Sequence, residues 1–140
     1  MLQHPELIRL PQRAGGTRES EDNHEEHEGG AIAGGSFNPH LWLDPQNAIK
    51  ISHLLADALA ELDPINRSVY QQNAQLLQIR LEKLDQTITQ QLQPVSTLPY
   101  LVFHDAYPYF EQRYNLKPLD AISISPDHRT GAMRIARIRK

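Results

Sequence analysis

The sequence predicts an α/β protein that combines a long helix with an incomplete parallel sheet. From residue 100 onward the chain reads as strand, helix, strand and helix, an order that is typical of a parallel sheet. Ahead of it, apolar residues recur at helical spacing within residues 64–93, which indicates an unusually long helix. Because two strands do not complete a sheet, we expect half of a domain here, with further chain beyond Lys140.

The composition excludes several kinds of protein. The chain has 140 residues, 14 Lys+Arg against 17 Asp+Glu and a net charge of -3, so we expect no binding to nucleic acid. No apolar run approaches the roughly 20 residues of a membrane-spanning helix, so we expect no direct insertion into a membrane. Since cysteine is absent, a metal ion must bind to histidine nitrogen or carboxylate oxygen.

The first 36 residues contain little apolar surface. Residues 1–18 hold a short apolar patch that fits either the end of a strand or one helical turn. Residues 19–36 are rich in glycine and acidic side chains and contain His24 and His27. Such a segment cannot bury enough apolar surface to offset its ordering entropy, which predicts a flexible loop.

Two helices follow, and each begins with aspartate and proline. Asp44 and Pro45 supply a side-chain cap and a favourable first helical residue, and Asp63 and Pro64 repeat this chemistry. The second helix, residues 64–93, would be about 45 Å long, which suits a rod that joins two bodies. We expect the apolar positions to face the core: Ile51, Leu54, Leu55, Ala58, Leu59 and Leu62 in the first helix, and Leu77, Leu81, Leu84, Ile88 and Leu92 in the second.

The last part of the chain provides the sheet. Residues 100–103 are apolar, which predicts a buried strand, and residues 119–124 form a second strand. Between them we expect a short helix over residues 107–114 with Asp105 as its cap, and Thr130 is placed to cap a final helix. Core packing is expected for the large aromatic side chains Trp42, Tyr107, Tyr109 and Phe110.

Two histidines stand out by their positions. His40 follows a proline directly before a capped helix, and His104 ends a predicted strand, where ligand sites of open α/β sheets are found. Imidazole nitrogens are ligands that zinc favours. A histidine near the end of an element is more often structural, so position alone leaves both roles open.

Two motifs carry a resemblance to a known family. Residues 38–45 read NPHLWLDP, and residues 100–110, beyond the long helix, read YLVFHDAYPYF. With the acidic, histidine-containing loop ahead of them, they resemble the zinc-binding solute-binding proteins of bacterial ABC transporters (the ZnuA type) over about residues 19–140. The resemblance implies two α/β lobes joined by a long helix, and Zn²⁺ in the cleft, with His40 and His104 at the positions of two metal ligands.

The resemblance also implies a division of the chain. The family's first histidine ligand lies upstream of the residues present here and a carboxylate lies downstream, so we expect the middle of such a protein, without its signal peptide. The resulting segments are a remnant of the first lobe (1–18), the acidic loop (19–36), the metal-motif segment and its helix (37–63), the inter-lobe helix (64–93) and the first half of the second lobe (98–140).

The expected function is zinc capture and delivery to the membrane permease of an ABC transporter, in the periplasm and without catalysis. With two histidines we expect weaker zinc binding than a complete site of three or four ligands provides. The manganese-binding relatives have a carboxylate where this sequence has His104, so imidazole there favours zinc. His24 and His27 are either auxiliary metal-collecting residues or part of a solvated charge run.

Two other functions remain as alternatives. A mononuclear zinc hydrolase would use His40 and His104 with Asp105 as base, although the sequence has no third strong ligand and no nucleophile motif. A helical interaction module would use residues 64–93 as a coiled-coil arm, although their apolar seam continues for only about two heptads, short of the three or four that are typical.

Overall fold

The computed structural model describes residues 4–11 and 37–123. Three helices and two strands follow one another in the order helix, helix, strand, helix, strand, as predicted: α1 (Pro45–Leu62), α2 (Arg67–Leu92), β1 (Leu101–His104), α3 (Pro108–Arg113) and β2 (Asp120–Ser123). The acidic loop with His24 and His27, and the final helix expected after Thr130, lie outside the described residues.

Helix α1 begins as its sequence predicts. The Asp44 carboxylate accepts a hydrogen bond from the backbone N–H of Gln46 at 3.0 Å, and Pro45 is the first helical residue. A 3₁₀ turn at Pro64–Asn66 separates α1 from α2, and a second one at Gln93–Val95 follows α2. The 26 residues of α2 therefore make an α-helix about 39 Å long, slightly shorter than predicted.

Helices α1 and α2 form an antiparallel hairpin. Gln46, near the start of α1, donates to the Asp85 carboxylate late in α2, and Arg67, at the start of α2, donates to the carbonyl of Ala60 near the end of α1. Between them the ring of His53 is hydrogen-bonded to Gln78 at 2.8 Å. Helix α2 is therefore paired with α1 along much of its length.

The predicted apolar faces of the two helices are only partly correct. Three of the residues that the two helices bury are alanines, namely Ala56, Ala60 and Ala74. Four leucines that were expected in the core are exposed instead: Leu55, Leu62, Leu77 and Leu84. Helical spacing identifies an apolar stripe, but the packing angle decides which residues of that stripe contact the neighbouring helix.

Within the described part of the chain, the sheet has two parallel strands joined by α3. Val102 pairs with Ala121 and His104 with Ser123. Val102 and Ala121 are buried, whereas Phe103 is 69% exposed. Strand β1 is therefore buried on one face only, although the sequence predicted a buried strand. The cap prediction for Asp105 is also wrong, because the residue before α3 is Tyr107 and no side chain caps the helix.

The core joins the N-terminal segment to the two motifs. Leu7, Leu41 and Tyr109 are its buried members, and the residues packed against them are Leu10, Phe37, Ile51 and Leu54. Tyr109 is thus in the core as predicted, but Trp42 is 55% exposed and Tyr107 is 44% exposed. Trp42 is exposed because the 3₁₀ turn Leu41–Leu43 directs Leu41 into the core. Among the described helices, none is both long and apolar enough to cross a bilayer.

Candidate metal site

The structure brings the two predicted ligands together. The ring centroids of His40 and His104 are 5.1 Å apart, and the ring planes are at 75°. His104 is the last residue of β1, and His40 immediately precedes the 3₁₀ turn that leads into α1. Two imidazoles from separate, well-packed elements therefore meet at the carboxyl end of a strand.

Asn38 holds the His40 ring in place. The side-chain oxygen of Asn38 accepts a hydrogen bond from the backbone N–H of His40 at 3.0 Å and lies 2.9 Å from its Nδ1. The amide nitrogen of Asn38 donates to the backbone carbonyl of Asp105 at 2.9 Å, which directs the amide oxygen toward His40. An amide oxygen can only accept, so this contact requires the proton on Nδ1 and, in the neutral ring, leaves the Nε2 lone pair for a metal ion.

Tyr109 supports this arrangement from α3. Its hydroxyl donates to the backbone carbonyl of Asn38 at 2.9 Å and accepts from the backbone N–H of Leu10 at 2.9 Å. One buried side chain thus connects the N-terminal segment, the first motif and the second motif. Asn38 and Tyr109 both lie within the motifs, but their sequence positions did not indicate these supporting roles.

The electrostatics of the site favour the neutral form of His40. Burial lowers the pKa of His40, the neighbouring His104 lowers it further, and Asp105 opposes both effects. Nδ1 of His104 is buried and has no hydrogen-bond partner among the described residues. Since a histidine binds a metal ion in its neutral form, the lowered pKa of His40 suits that role.

Trp42 lies beside the histidine pair. Its ring centroid is 5.4 Å from that of His40, with the planes at 54°. The indole is 55% exposed, so it lies next to His40 at the surface.

Within residues 4–11 and 37–123, no group of three or more histidine, aspartate or glutamate side chains is arranged to hold a metal ion. The described part of the site is a pair of imidazoles, two ligands fewer than a closed zinc site requires. His24 and His27 lie outside the described residues, so their position relative to the pair stays a prediction.

A second polar cluster positions α3 against α2. The carboxylate of Asp85 accepts hydrogen bonds from both Nε and Nη2 of Arg113, the former at 3.1 Å, and from the hydroxyl of Tyr114 at 2.9 Å. The Arg113 guanidinium lowers the pKa of Asp85, while burial and the bond to Asp85 raise the pKa of Tyr114. The cluster thus ties the helix that follows His104 to the α1–α2 hairpin.

The described residues also form a cavity of about 190 Å³ that neither histidine lines. Its lining residues are Ile8, Leu10, Asp44, Tyr109, Gln112 and Arg113. This cavity is therefore separate from the candidate metal site.

Comparison with known proteins assigns the chain to a family. The model of the family described as zinc-uptake complex component A, periplasmic (ZnuA) matches residues 4–140. The high-affinity zinc uptake system protein ZnuA of Brucella abortus (strain 2308) is 39% identical over 104 residues, which cover 74% of this chain and 31% of that protein. The ZnuA protein of Yersinia pestis is 36% identical over 105 residues, which cover 75% of this chain and 33% of that protein.

Solved structures show the same relationship. A crystal structure of ZnuA superimposes with a TM-score of 0.65 at 33% identity, over 73% of this chain and 39% of that one. A Zn(II)-bound mutant variant of AdcAII of Streptococcus pneumoniae gives a TM-score of 0.66 at 27% identity, over 74% of this chain and 38% of that one. The chain spans about a third of the length of the curated ZnuA proteins it matches. Because the family model covers nearly the whole chain, this chain belongs to the ZnuA family of periplasmic zinc-uptake components.

Proposed function

We propose that this chain takes part in high-affinity zinc capture in the periplasm and in the delivery of zinc to the permease of an ABC transporter. The observation that carries the proposal is the His40–His104 pair, with ring centroids 5.1 Å apart and with Nδ1 of His40 bonded to Asn38. The names of the relatives, high-affinity zinc uptake system proteins, agree with this chemistry.

Zinc is the cargo in this proposal, and no covalent bond is made or broken. Neutral imidazoles suit a borderline metal ion such as Zn²⁺. Since zinc sites use three or four ligands, we propose that His40 and His104 are part of a larger ligand set. His24 and His27, in the acidic loop, are proposed as auxiliary residues that collect zinc weakly.

We also propose that the chain is organised as part of a two-lobed protein. In this arrangement α2 is the helix that joins the lobes, residues 1–18 belong to the first lobe, and residues 98–140 form the first half of the second lobe. The packing of α2 supports the assignment, because it contacts α1 through Gln46 and His53 and contacts α3 through Asp85.

The two alternatives receive less support from the same observations. A zinc hydrolase needs a third ligand, and the described residues bring only two imidazoles together. A coiled-coil arm needs a helix that is available to a partner chain, whereas α2 packs against α1 of its own chain.

The proposal is tested by calorimetric titration of Zn²⁺ into the chain and its variants. We expect His40→Ala and His104→Ala each to weaken zinc binding by about tenfold or more, because each removes one of few ligands. His53→Ala is the matched control, since His53 is also half-buried but is bonded to Gln78 on the α1–α2 hairpin. Equal zinc affinity in the unsubstituted chain and both ligand variants would contradict the proposal.

A further inference from the structure

Asn38 connects the two motifs at the point where the histidines meet. Its side chain contacts His40 through the amide oxygen and the backbone of Asp105 through the amide nitrogen. It is 3% exposed, and its backbone N–H donates to the carbonyl of Leu10 at 2.8 Å. The contacts with Asp105 and Leu10 link segments that are far apart in the sequence.

We propose that Asn38 is a positioning residue for zinc capture, which holds His40 in the Nδ1–H tautomer and fixes it against the strand end that carries His104. The inference rests on the proposed function for its zinc component, while the tautomer itself is a property of the metal-free chain.

The contacts of Asn38 decide which nitrogen of the His40 ring carries the proton. The amide nitrogen of Asn38 has an acceptor in the Asp105 carbonyl, so the amide oxygen is the atom that faces the imidazole. Two donors converge on this oxygen, the backbone N–H of His40 and its Nδ1–H. The amide therefore selects the tautomer in which Nε2 has a lone pair. Hydrogen bonds of this kind orient histidine ligands and raise metal affinity.

The contact of Asn38 with Asp105 also affects the distance between the His40 and His104 rings. The carbonyl that Asn38 binds belongs to Asp105, which directly follows His104 and is 3% exposed. One side chain thus sets the position of the His40 ring relative to the chain at His104. A ligand pair that is ordered before the ion arrives loses less conformational entropy on binding.

Asn47 is a matched control in the same chain. It is 0% exposed, its side chain accepts from the backbone N–H of Ile8 at 2.9 Å, and it donates to the carbonyls of Ile8 and Leu41. It resembles Asn38 in burial and in joining distant segments, but it has no bond to an imidazole. Loss of Asn47 therefore reports the structural cost of losing a buried asparagine.

The first measurement is the tautomer of His40 in the metal-free chain, read from its imidazole ¹⁵N chemical shifts at a pH where the ring is neutral. We expect the Nδ1–H form in the unsubstituted chain and in Asn47→Ala, and a shift toward the Nε2–H form in Asn38→Ala. Asn38→Asp keeps an acceptor for Nδ1–H, so it should restore the Nδ1–H form. An Nε2–H form in the unsubstituted chain, or an unchanged tautomer in Asn38→Ala, would overturn the inference.

The second measurement is zinc affinity by calorimetry in the same variants. We expect Asn38→Ala to lose about ten- to a hundredfold, as is typical when the partner of a ligating histidine is removed, and Asn47→Ala to stay near the unsubstituted chain. An equal loss of affinity in both alanine variants would reduce Asn38 to a structural role and overturn the inference. If the unsubstituted chain binds zinc but Asn38→Ala leaves the tautomer unchanged, only this inference fails. If the chain does not bind zinc although the tautomer shifts, the proposed function fails, and the zinc role of Asn38 fails with it.

Discussion

The imidazole rings of His40 and His104 lie nearly perpendicular with centroids 5.1 Å apart, one before α1 and the other at the end of β1. Neither element alone presents a pair of ligands. The meeting of the two rings depends on buried contacts that join the motifs, above all those of Asn38 and Tyr109. The site can therefore be disturbed directly at the rings or indirectly through these contacts.

The identity of residue 104 should control the choice of metal. We expect His104→Asp to lower the ratio of zinc affinity to manganese affinity about tenfold or more, because carboxylate oxygen suits manganese and imidazole suits zinc. Competitive titration with the two metals measures the ratio. His53→Asp, on the α1–α2 hairpin, should leave it unchanged. A ratio that stays the same in His104→Asp would place the metal elsewhere.

Trp42 should report zinc binding by its fluorescence. It is the only tryptophan in the chain, and its ring centroid lies 5.4 Å from that of His40. A doubly charged ion on that imidazole changes the field at the indole, so we expect the emission to change with the same zinc dependence as the heat of binding. Adding a chelator should restore the original emission. If calorimetry shows binding while the emission stays constant, the ion is not at His40.

Removing the charge of Asp85 should destabilise the fold. We expect Asp85→Asn to lower the free energy of unfolding by about 2 kcal/mol, because Arg113 loses its ionic partner and its charge-assisted hydrogen bonds. Urea unfolding followed by circular dichroism measures this change. Asp57→Asn, at an exposed position of α1, is the control and should change stability by less than about 0.5 kcal/mol. A similar effect of both substitutions would show that the ion pair does not stabilise the fold.

The same substitution should change how stability depends on pH. Arg113 lowers the pKa of Asp85 in the folded chain, so the folded state binds this proton less readily than the unfolded state does. The stabilising contribution is therefore fully present above the unfolded pKa of about 3.9 and is lost as the pH falls through the lower folded pKa. We expect the stability difference between the unsubstituted chain and Asp85→Asn to be largest near neutral pH and to shrink below about pH 4. Burial raises the pKa of the nearby Asp44, so this carboxyl group also affects the pH dependence of each chain. The difference in stability between the two chains isolates the contribution of Asp85. A difference that is constant from pH 7 to pH 3 would exclude Asp85 as its source.

The hydroxyl of Tyr109 should be important for the connection between the segments. Tyr109→Phe leaves the buried carbonyl of Asn38 and the N–H of Leu10 without their partner. We expect a loss of about 1–3 kcal/mol in the free energy of unfolding, the usual cost of unsatisfied buried polar groups. Thermal and urea unfolding measure this loss. Tyr107→Phe, at a 44% exposed position, should have little effect, and an equal cost for both would mean that the Tyr109 hydroxyl makes no special contribution.

Local sequence signals determined the order of the elements. Asp44 and Pro45 start α1 because a side-chain cap and a preset backbone angle act within a few residues. The parallel pairing of β1 and β2 follows from the helix between them. His40 and His104 stood out by their places in the chain, and the resemblance of the two motifs predicted them as ligands. Their rings lie together, with centroids 5.1 Å apart.

Only the tertiary structure decided which faces are buried and what supports the histidines. The helix contact uses Ala60 and Ala74 while Leu62 and Leu84 are exposed, since burial depends on the packing of two helices and not on the spacing within one. Trp42 is exposed because the turn before α1 directs its neighbour Leu41 into the core. The tautomer of His40 depends on the amide orientation of Asn38, and that orientation is set by a carbonyl beyond α2, at Asp105. Contacts between segments so distant in the sequence arise only when the chain is folded.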